Sequence, residues 1–313
     1  MSDLLRRRHG AAAPRRLLGA IALGALFVGG GTTYLTRDTA GPATVSAGSA
    51  QVLPPVEVES GVVHVHGLGV DPADGVLYAA THTGLFRLPA SGPAVRVANR
   101  AQDTMGFSVV GPRRFIGSGH PDSREDDVRP PLLGLIESTD AGQSWTRLSL
   151  HGEADFHALH AAHGQVYGYD STSQTFMVSK DRTLWDRRAR LAMRDFAVSP
   201  ADADTMVATT QDGLRRSIDG GRTFGALAGP VGAAVLAWPA AGLLYVAAAD
   251  GTIHGSTDGG ASWTRRGTTG GRPEAIAVDA RHGAATLYVA VAERGILAST
   301  AGAKTFDTRY RQP

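Results

Sequence analysis

Eight of the eleven histidines in this 313-residue chain fall between His64 and His163. Imidazole is the commonest metal ligand and the side chain that titrates nearest neutral pH, so this crowding is the first chemical signal in the sequence. His64 and His66 stand two apart, a spacing that in an extended strand carries both to one side. His157 and His160 stand three apart, so in a regular strand they cannot both face the same way. Met105 offers a thioether, and Asp103, Asp155, Asp170, Gln211, Glu274 and Glu293 offer further polar donors. Neutral imidazoles with a carboxylate in reach suit Zn, Cu, Fe or Ni, and a thioether shifts the preference to copper. Three roles are open to these residues: a divalent metal site (Cu or Zn), a polar or sugar ligand without metal, or hydrogen bonding that only holds a core.

Residues so far apart act together only if the fold returns them to one place, and a repeat supplies the means. Ser138-Thr-Asp140-Ala-Gly142-Gln-Ser-Trp145, Ser217-Ile-Asp219-Gly-Gly221-Arg-Thr-Phe224 and Ser256-Thr-Asp258-Gly-Gly260-Ala-Ser-Trp263 are near copies. Ser179-Lys-Asp181-Arg-Thr-Leu-Trp185 is one residue short, and Ser299-Thr-Ala-Gly302-Ala-Lys-Thr-Phe306 has lost its Asp. The serines are 41, 38, 39 and 43 residues apart. A period near 40 in β-rich units marks radial repetition, in which each four-stranded unit buries both faces against its neighbours. Around each turn the same short apolar segments recur: Asp195 to Ser199, Thr205 to Thr210 and Gly213 to Ser217 in one unit, Glu274 to Asp279, Thr286 to Val291 and Gly295 to Ser299 in another. A first unit without the turn fits His66 to Val70, Val76 to Thr81 and Gly84 to Leu88. The expected fold is all-β, a six-bladed β-propeller over 61–313 whose ring closure borrows Val56 to Glu59 as an extra strand.

In a four-stranded blade the start of the first strand and the loop between the second and third share one face. His64, His66 and His157 fall at the first place; His82 and His120 at the second. These five, with Met105 and Arg194, make the expected ligand-binding face at the channel mouth, and His66, His82, His120 and His157 the expected metal set. The longest insertion, Pro121 to Pro131, lies on this face with Asp122, Glu125, Asp126, Asp127 and Arg129. His163 and His282 belong to turns on the opposite face.

The repeated turn resembles the Asp box, or BNR repeat, of sialidases and many other secreted propellers. That resemblance implies a structural turn between the third and fourth strands, away from any active face, so Asp140, Asp181, Asp219 and Asp258 are expected to brace turns. A carboxylate there can accept backbone N–H bonds, and the aromatic wedges between sheets. The segments His64-Val-His66-Gly-Leu, Met105-Gly-Phe107, Gly119-His120-Pro121 and Asp155-Phe-His157-Ala also resemble small secreted bacterial propellers labelled glycosyl hydrolases or sialidase-like. That label implies glycoside cleavage, but the first unit has no Arg-Ile-Pro motif of the kind sialidases carry. A glycosidase needs two carboxyls about 5–9 Å apart across the bond. Asp122, Asp170, Glu274 and Glu293 are the candidate catalytic groups, and nothing in their spacing pairs them. A second resemblance is to anchored propellers that assist assembly of membrane complexes, such as photosystem II assembly factors. The expected function is therefore a membrane-tethered module binding a glycan, another polar ligand or an extracytoplasmic protein; the alternative is a glycoside hydrolase.

Composition narrows the rest. There is no Cys, which excludes disulfides, thiolate metal sites and Cys nucleophiles. No nucleophile elbow and no Gly-rich phosphate loop occurs. The formal charge is +2, yet residues 1–37 hold six Arg and one Asp, a net +5, which leaves about −3 for the remainder and no nucleic-acid footprint. Arg6, Arg7, Arg8, Arg15 and Arg16 precede an uncharged run from Leu17 to Leu35, which at roughly 1.5 Å per residue nearly crosses a hydrocarbon core of about 30 Å. The expectation is a cytoplasmic basic segment (1–16), an uncleaved signal anchor forming a transmembrane helix (17–36), a flexible linker (37–60) and an extracytoplasmic propeller at the cell membrane.

Overall fold

The computed structural model describes residues 61–122, 124, 130–281, 283 and 285–312. The basic segment, the apolar run, the linker and the Val56 to Glu59 segment lie outside the described residues, as do His282 and, in the insertion, Glu125, Asp126, Asp127 and Arg129. Among the described residues no helix is long and apolar enough to cross a membrane.

Six antiparallel sheets of four strands follow one another along the chain, each with its strands in sequence order. The first comprises β1 (Val65–Val70), β2 (Leu77–Thr81), β3 (Gly84–Leu88) and β4 (Val95–Arg96); the second β5 (Gln102–Gly111), β6 (Arg114–Asp122), β7 (Leu135–Ser138) and β8 (Thr146–Ser149). The third comprises β9 (Phe156–Ala162), β10 (Gln165–Asp170), β11 (Thr175–Ser179) and β12 (Asp186–Arg190); the fourth β13 (Asp195–Val198), β14 (Met206–Thr210), β15 (Gly213–Ser217) and β16 (Gly225–Ala226). The fifth comprises β17 (Ala233–Ala240), β18 (Leu243–Ala248), β19 (Thr252–Ser256) and β20 (Thr264–Thr268); the sixth β21 (Pro273–Asp279), β22 (Thr286–Val291), β23 (Gly295–Ser299) and β24 (Asp307–Arg311). Side-chain chemistry orders the strands radially. Second strands are apolar on both faces, as in the fully buried Leu-Tyr-Ala-Ala-Thr of β2. Fourth strands such as Asp-Arg-Arg-Ala-Arg of β12 are polar, bury no residue fully and form the outer edge.

Six apolar clusters fill the six seams between neighbouring sheets, and the seam joining the sixth sheet to the first closes the ring. The closing seam packs Val62, Val65, Leu68 and Phe86 against Ala275, Ala290 and Ile296. Hydrogen bonds latch it: Arg309 Nη2 donates to Leu88 O at 2.8 Å and Arg281 Nη1 to Asp71 O at 3.2 Å. Among the described residues no sheet mixes strands from the two ends, so side chains rather than a shared sheet make this closure.

The five repeated turns all fall between the third and fourth strands of their sheets. Ser138 Oγ donates to Asp140 Oδ1 and accepts from Gly142 N, each at 2.8 Å. Asp140 then takes Ser144 N on Oδ1 and Ser144 Oγ on Oδ2. Asp219 and Asp258 repeat the pattern with Thr223 and Ser262, while Asp181, in the shortened copy, holds Thr183 N and Leu184 N. Each turn delivers one aromatic to the seam with the preceding sheet: Trp145, Trp185, Phe224, Trp263 and Phe306. The first sheet has no such turn, and the closing seam has no such wedge.

Candidate functional site

The innermost strands carry the feature that builds the site. In β1 the pairing with β2 jumps from Val65 to Gly67, leaving His66 as an extra residue in a β-bulge. The same jump leaves out Met105 in β5, His157 in β9, Ala234 in β17 and Glu274 in β21. Arg194, just ahead of β13, takes the corresponding place, its N–H held by Thr209 O at 2.9 Å. A bulge re-aims the side chain it inserts. Here it makes His66, Met105, His157, Arg194 and Glu274 lining residues of one channel of about 520 Å³, with His64 and His82 beside them. The strands crowd closely at this level: a Cβ on Gly106, next after Met105, would meet Phe156 O at 2.5 Å.

The bulge at His157 interrupts the alternation expected between His157 and His160. Both are lining residues of the channel, as are Ala158 and Leu159 between them, and the His160 ring packs edge to face on Phe196 of the next sheet. A second difference concerns His120, which stands within β6 rather than after it, since β5 and β6 run longer than their apolar cores. His163 lies in the β9–β10 turn, where its Nε2 meets Ser199 O of the next sheet at 2.8 Å.

The four expected metal-binding histidines separate into two pairs, each gathered by one aspartate: Asp103 of the second sheet takes His66 and His82 of the first, and Asp155 of the third sheet takes His120 of the second and His157 of its own. In the first, His82 Nδ1 is 2.9 Å from Asp103 Oδ2 and His66 Nε2 is 3.7 Å from Asp103 Oδ1. The His66 and His82 rings meet edge to face at 4.4 Å, and His64 adds its ring 5.5 Å from that of His82. One donor atom from each of His66, His82 and Asp103 falls within 4.8 Å of the others. In the second pair, Asp155 Oδ2 is 2.9 Å from His157 Nε2 and 3.8 Å from His120 Nε2. His120 Nδ1 faces Pro131 O at 3.1 Å, which fixes the proton of the neutral ring there and leaves Nε2 a lone pair. Asp103 and Asp155 each lie two residues before the bulge of their strand, so the sheet-to-sheet alignment of the repeat holds the signal that pairs them with the histidines.

Electrostatics keeps the His66 ring neutral and the Asp155 carboxyl charged. Burial lowers the pKa of His66 from 6.5 to about 3, helped by the charges of His82, His157 and His64 and opposed by Asp155. Burial pushes the Asp155 carboxyl up, but the hydrogen bond from His157 and the charges of His157 and His120 outweigh it and hold it below the usual range. His66 Nε2, Asp103 Oδ1 and Asp155 Oδ1 are buried with no hydrogen-bond partner in the protein.

Of the four candidate catalytic carboxyls, Glu274 alone lines the channel. Its Oε2 accepts Val65 N across the closing seam at 3.1 Å, and Arg272 reaches its Oε1 at 3.4 Å. Asp122 is folded around Arg124 and Ala101 N, and the Arg124 hydrogen bonds hold it far below the usual carboxylate range. Asp170 accepts Asp155 N, Thr172 N and Ser173 N, so its work is to position the backbone of Asp155. Glu293 is exposed at φ +61 in the β22–β23 turn. Sequence reasoning passed over Asp195 and Arg272, which also line the channel.

No protein-family model matches the chain, and no curated protein matches it. Solved structures do. A GH74 enzyme from Niastella koreensis superposes with TM-score 0.52 at 16% identity over 77% of this chain and 36% of its own. The GH74 xyloglucanase from Xanthomonas campestris gives 0.51 at 18% identity, over 78% of this chain and 37% of its own. YCF48 bound to D1 peptide gives 0.54 at 12% identity, over 76% of this chain and 93% of its own. The chain thus spans little more than a third of the GH74 enzymes. At such identities the likeness is one of fold alone, and on that ground this chain is a six-bladed β-propeller.

Proposed function

We propose that this protein is a binding propeller, tethered at the outer side of a membrane by its N-terminal segment, that takes a polar ligand at its histidine-rich channel mouth. The observation that carries the reading is the ring formed by the bulged residues His66, Met105, His157 and Glu274 and by Arg194 at the corresponding place, which come from five different sheets and line one channel. A concave site with a few convergent polar groups is the usual form of a small-ligand pocket. The YCF48 structure bound to a peptide supports a binding role for this fold, as the GH74 enzymes support hydrolysis.

The hydrolase alternative asks for two free carboxyls facing each other. Asp122 and Asp170 are engaged by the backbone N–H groups of Ala101 and Asp155, and Glu274 holds the backbone of the neighbouring sheet. Those engagements favour binding. The test is a thermal-shift panel of oligosaccharides, organic acids and short peptides on the full chain, beside a panel of chromogenic glycosides. The expected result is a stabilising ligand whose effect is lost in Arg194→Ala, with no glycoside turned over. Turnover abolished by Glu274→Gln or Asp122→Asn would reverse the reading.

A further inference from the structure

We propose that His66, His82 and Asp103 form a site for one divalent transition-metal ion, Zn²⁺ or Cu²⁺, at the mouth of the channel. The inference rests on the binding reading above and gives that site its chemistry.

Three separate stretches supply the donors: the bulge of β1, the turn after β2 and the start of β5. His66 Nε2 and Asp103 Oδ1 are both buried, both unpartnered and 3.7 Å apart, too far to bond each other. Leaving a buried polar atom unpaired costs about 1–3 kcal/mol, so two such atoms facing each other mark a place built for something between them. Two ligands at about 2.1 Å on a tetrahedral ion stand roughly 3.4 Å apart, which the 3.7 Å gap nearly matches without moving the backbone. Two imidazoles and one carboxylate select Zn²⁺ or Cu²⁺ over the hard cations, which prefer oxygen.

Binding exchanges one tautomer of His82 for the other. Its Nδ1–H, now directed at Asp103 Oδ2 at 2.9 Å, moves to Nε2, which the half-exposed ring offers to water, and Nδ1 presents its lone pair to the ion. His64, His66 and His82 line the channel, so an ion held here, with a fourth position open, would stand beside the polar ligand. The looser His120, His157 and Asp155 group lies one sheet further on, with the His157 and Ser171 side chains already on Asp155 Oδ2. It stays outside this proposal.

The test uses the full chain made without an oligohistidine tag, stripped with a chelator and dialysed against ZnSO₄ or CuSO₄. Bound metal is counted by inductively coupled plasma mass spectrometry, and affinity is read by competition with a chromogenic chelator. One ion per chain is expected, retained in His120→Ala and weakened roughly a hundredfold or more in His66→Ala and Asp103→Ala. His82→Ala, at a half-exposed ring that carries little of the core, keeps the test informative if either of those fails to fold. With Cu²⁺, the nitrogen splitting in the electron paramagnetic resonance spectrum should fall from two imidazoles to one in His82→Ala. No ion after dialysis, or unchanged count and affinity in all three variants, overturns the proposal. If no ion binds while a panel ligand still stabilises the protein through Arg194, the metal site falls and the binding reading stands. An ion held where no panel ligand binds supports the site and leaves the wider reading to fall.

Discussion

Two half-buried titratable side chains on the channel wall, His160 and Asp195, pull stability in opposite directions as pH changes. His160 packs edge to face on Phe196 at 4.9 Å, and burial lowers its pKa from 6.5 to about 4. A His held neutral by the fold binds fewer protons than in the unfolded chain, so its contribution is present above 6.5 and is lost as pH falls toward 4. Asp195 accepts Phe196 N and Leu236 N, and burial raises its pKa from 3.8 to about 6. Its contribution is present below 3.8 and is lost as pH rises through 6. Urea unfolding at pH 7 and pH 5 separates them. Replacing His160 by Leu should shrink the acid-side loss by about 1–2 kcal/mol, and an unchanged difference between the two pH values would show that the ring titrates normally. Glu274 also belongs to this scale. Glu274→Ala leaves Val65 N without its acceptor and should cost about 1–3 kcal/mol, measured by the same melts; Glu274→Gln, which keeps an oxygen there, should cost less.

Among elements, the serine–aspartate turn shows how a local sequence can be read for structure and where its copies diverge. The turn of the sixth sheet keeps the Ser299 Oγ bond to Ala303 N at 3.1 Å but has Ala301 where its counterparts have Asp. Thr305 stands where Thr223 donates to Asp219. Ala301→Asp should therefore complete the turn and raise stability by about 0.5–1 kcal/mol, each new hydrogen bond being exposed. A drop in the unfolding midpoint would show that the backbone there differs from its siblings. These turns were legible because each is closed by bonds among near neighbours in the chain. The bulges were not. An extra residue in β1, β5, β9, β17 and β21 leaves no mark in apolar alternation, because whether a residue is skipped depends on the partner strand.

At the scale of the whole molecule, the ring has one seam unlike the rest. Five seams receive an aromatic from a turn, while the closing seam relies on strand residues such as Val65, Leu68 and Phe86 and on Arg309, Arg281 and Tyr310 reaching across. Arg309→Ala should loosen this seam first. Hydrogen exchange should then rise in β1–β4 and β24 while β14 and β18 keep their protection, and uniform loss of protection would mean that the wheel opens as one unit. The sequence by itself determined the period, the six units and the side of the wheel where histidines gather, because these follow from spacing along the chain and from alternation within strands; the bracing role of the turn aspartates came with the resemblance of the turn to the Asp box. Only the tertiary structure decided which histidines share a carboxylate, that a bulge at His157 interrupts the alternation toward His160, and that Asp122 and Asp170 are taken up by the backbone of Ala101 and Asp155. Those outcomes rest on contacts between sheets and on strand register, and register is settled where two strands meet.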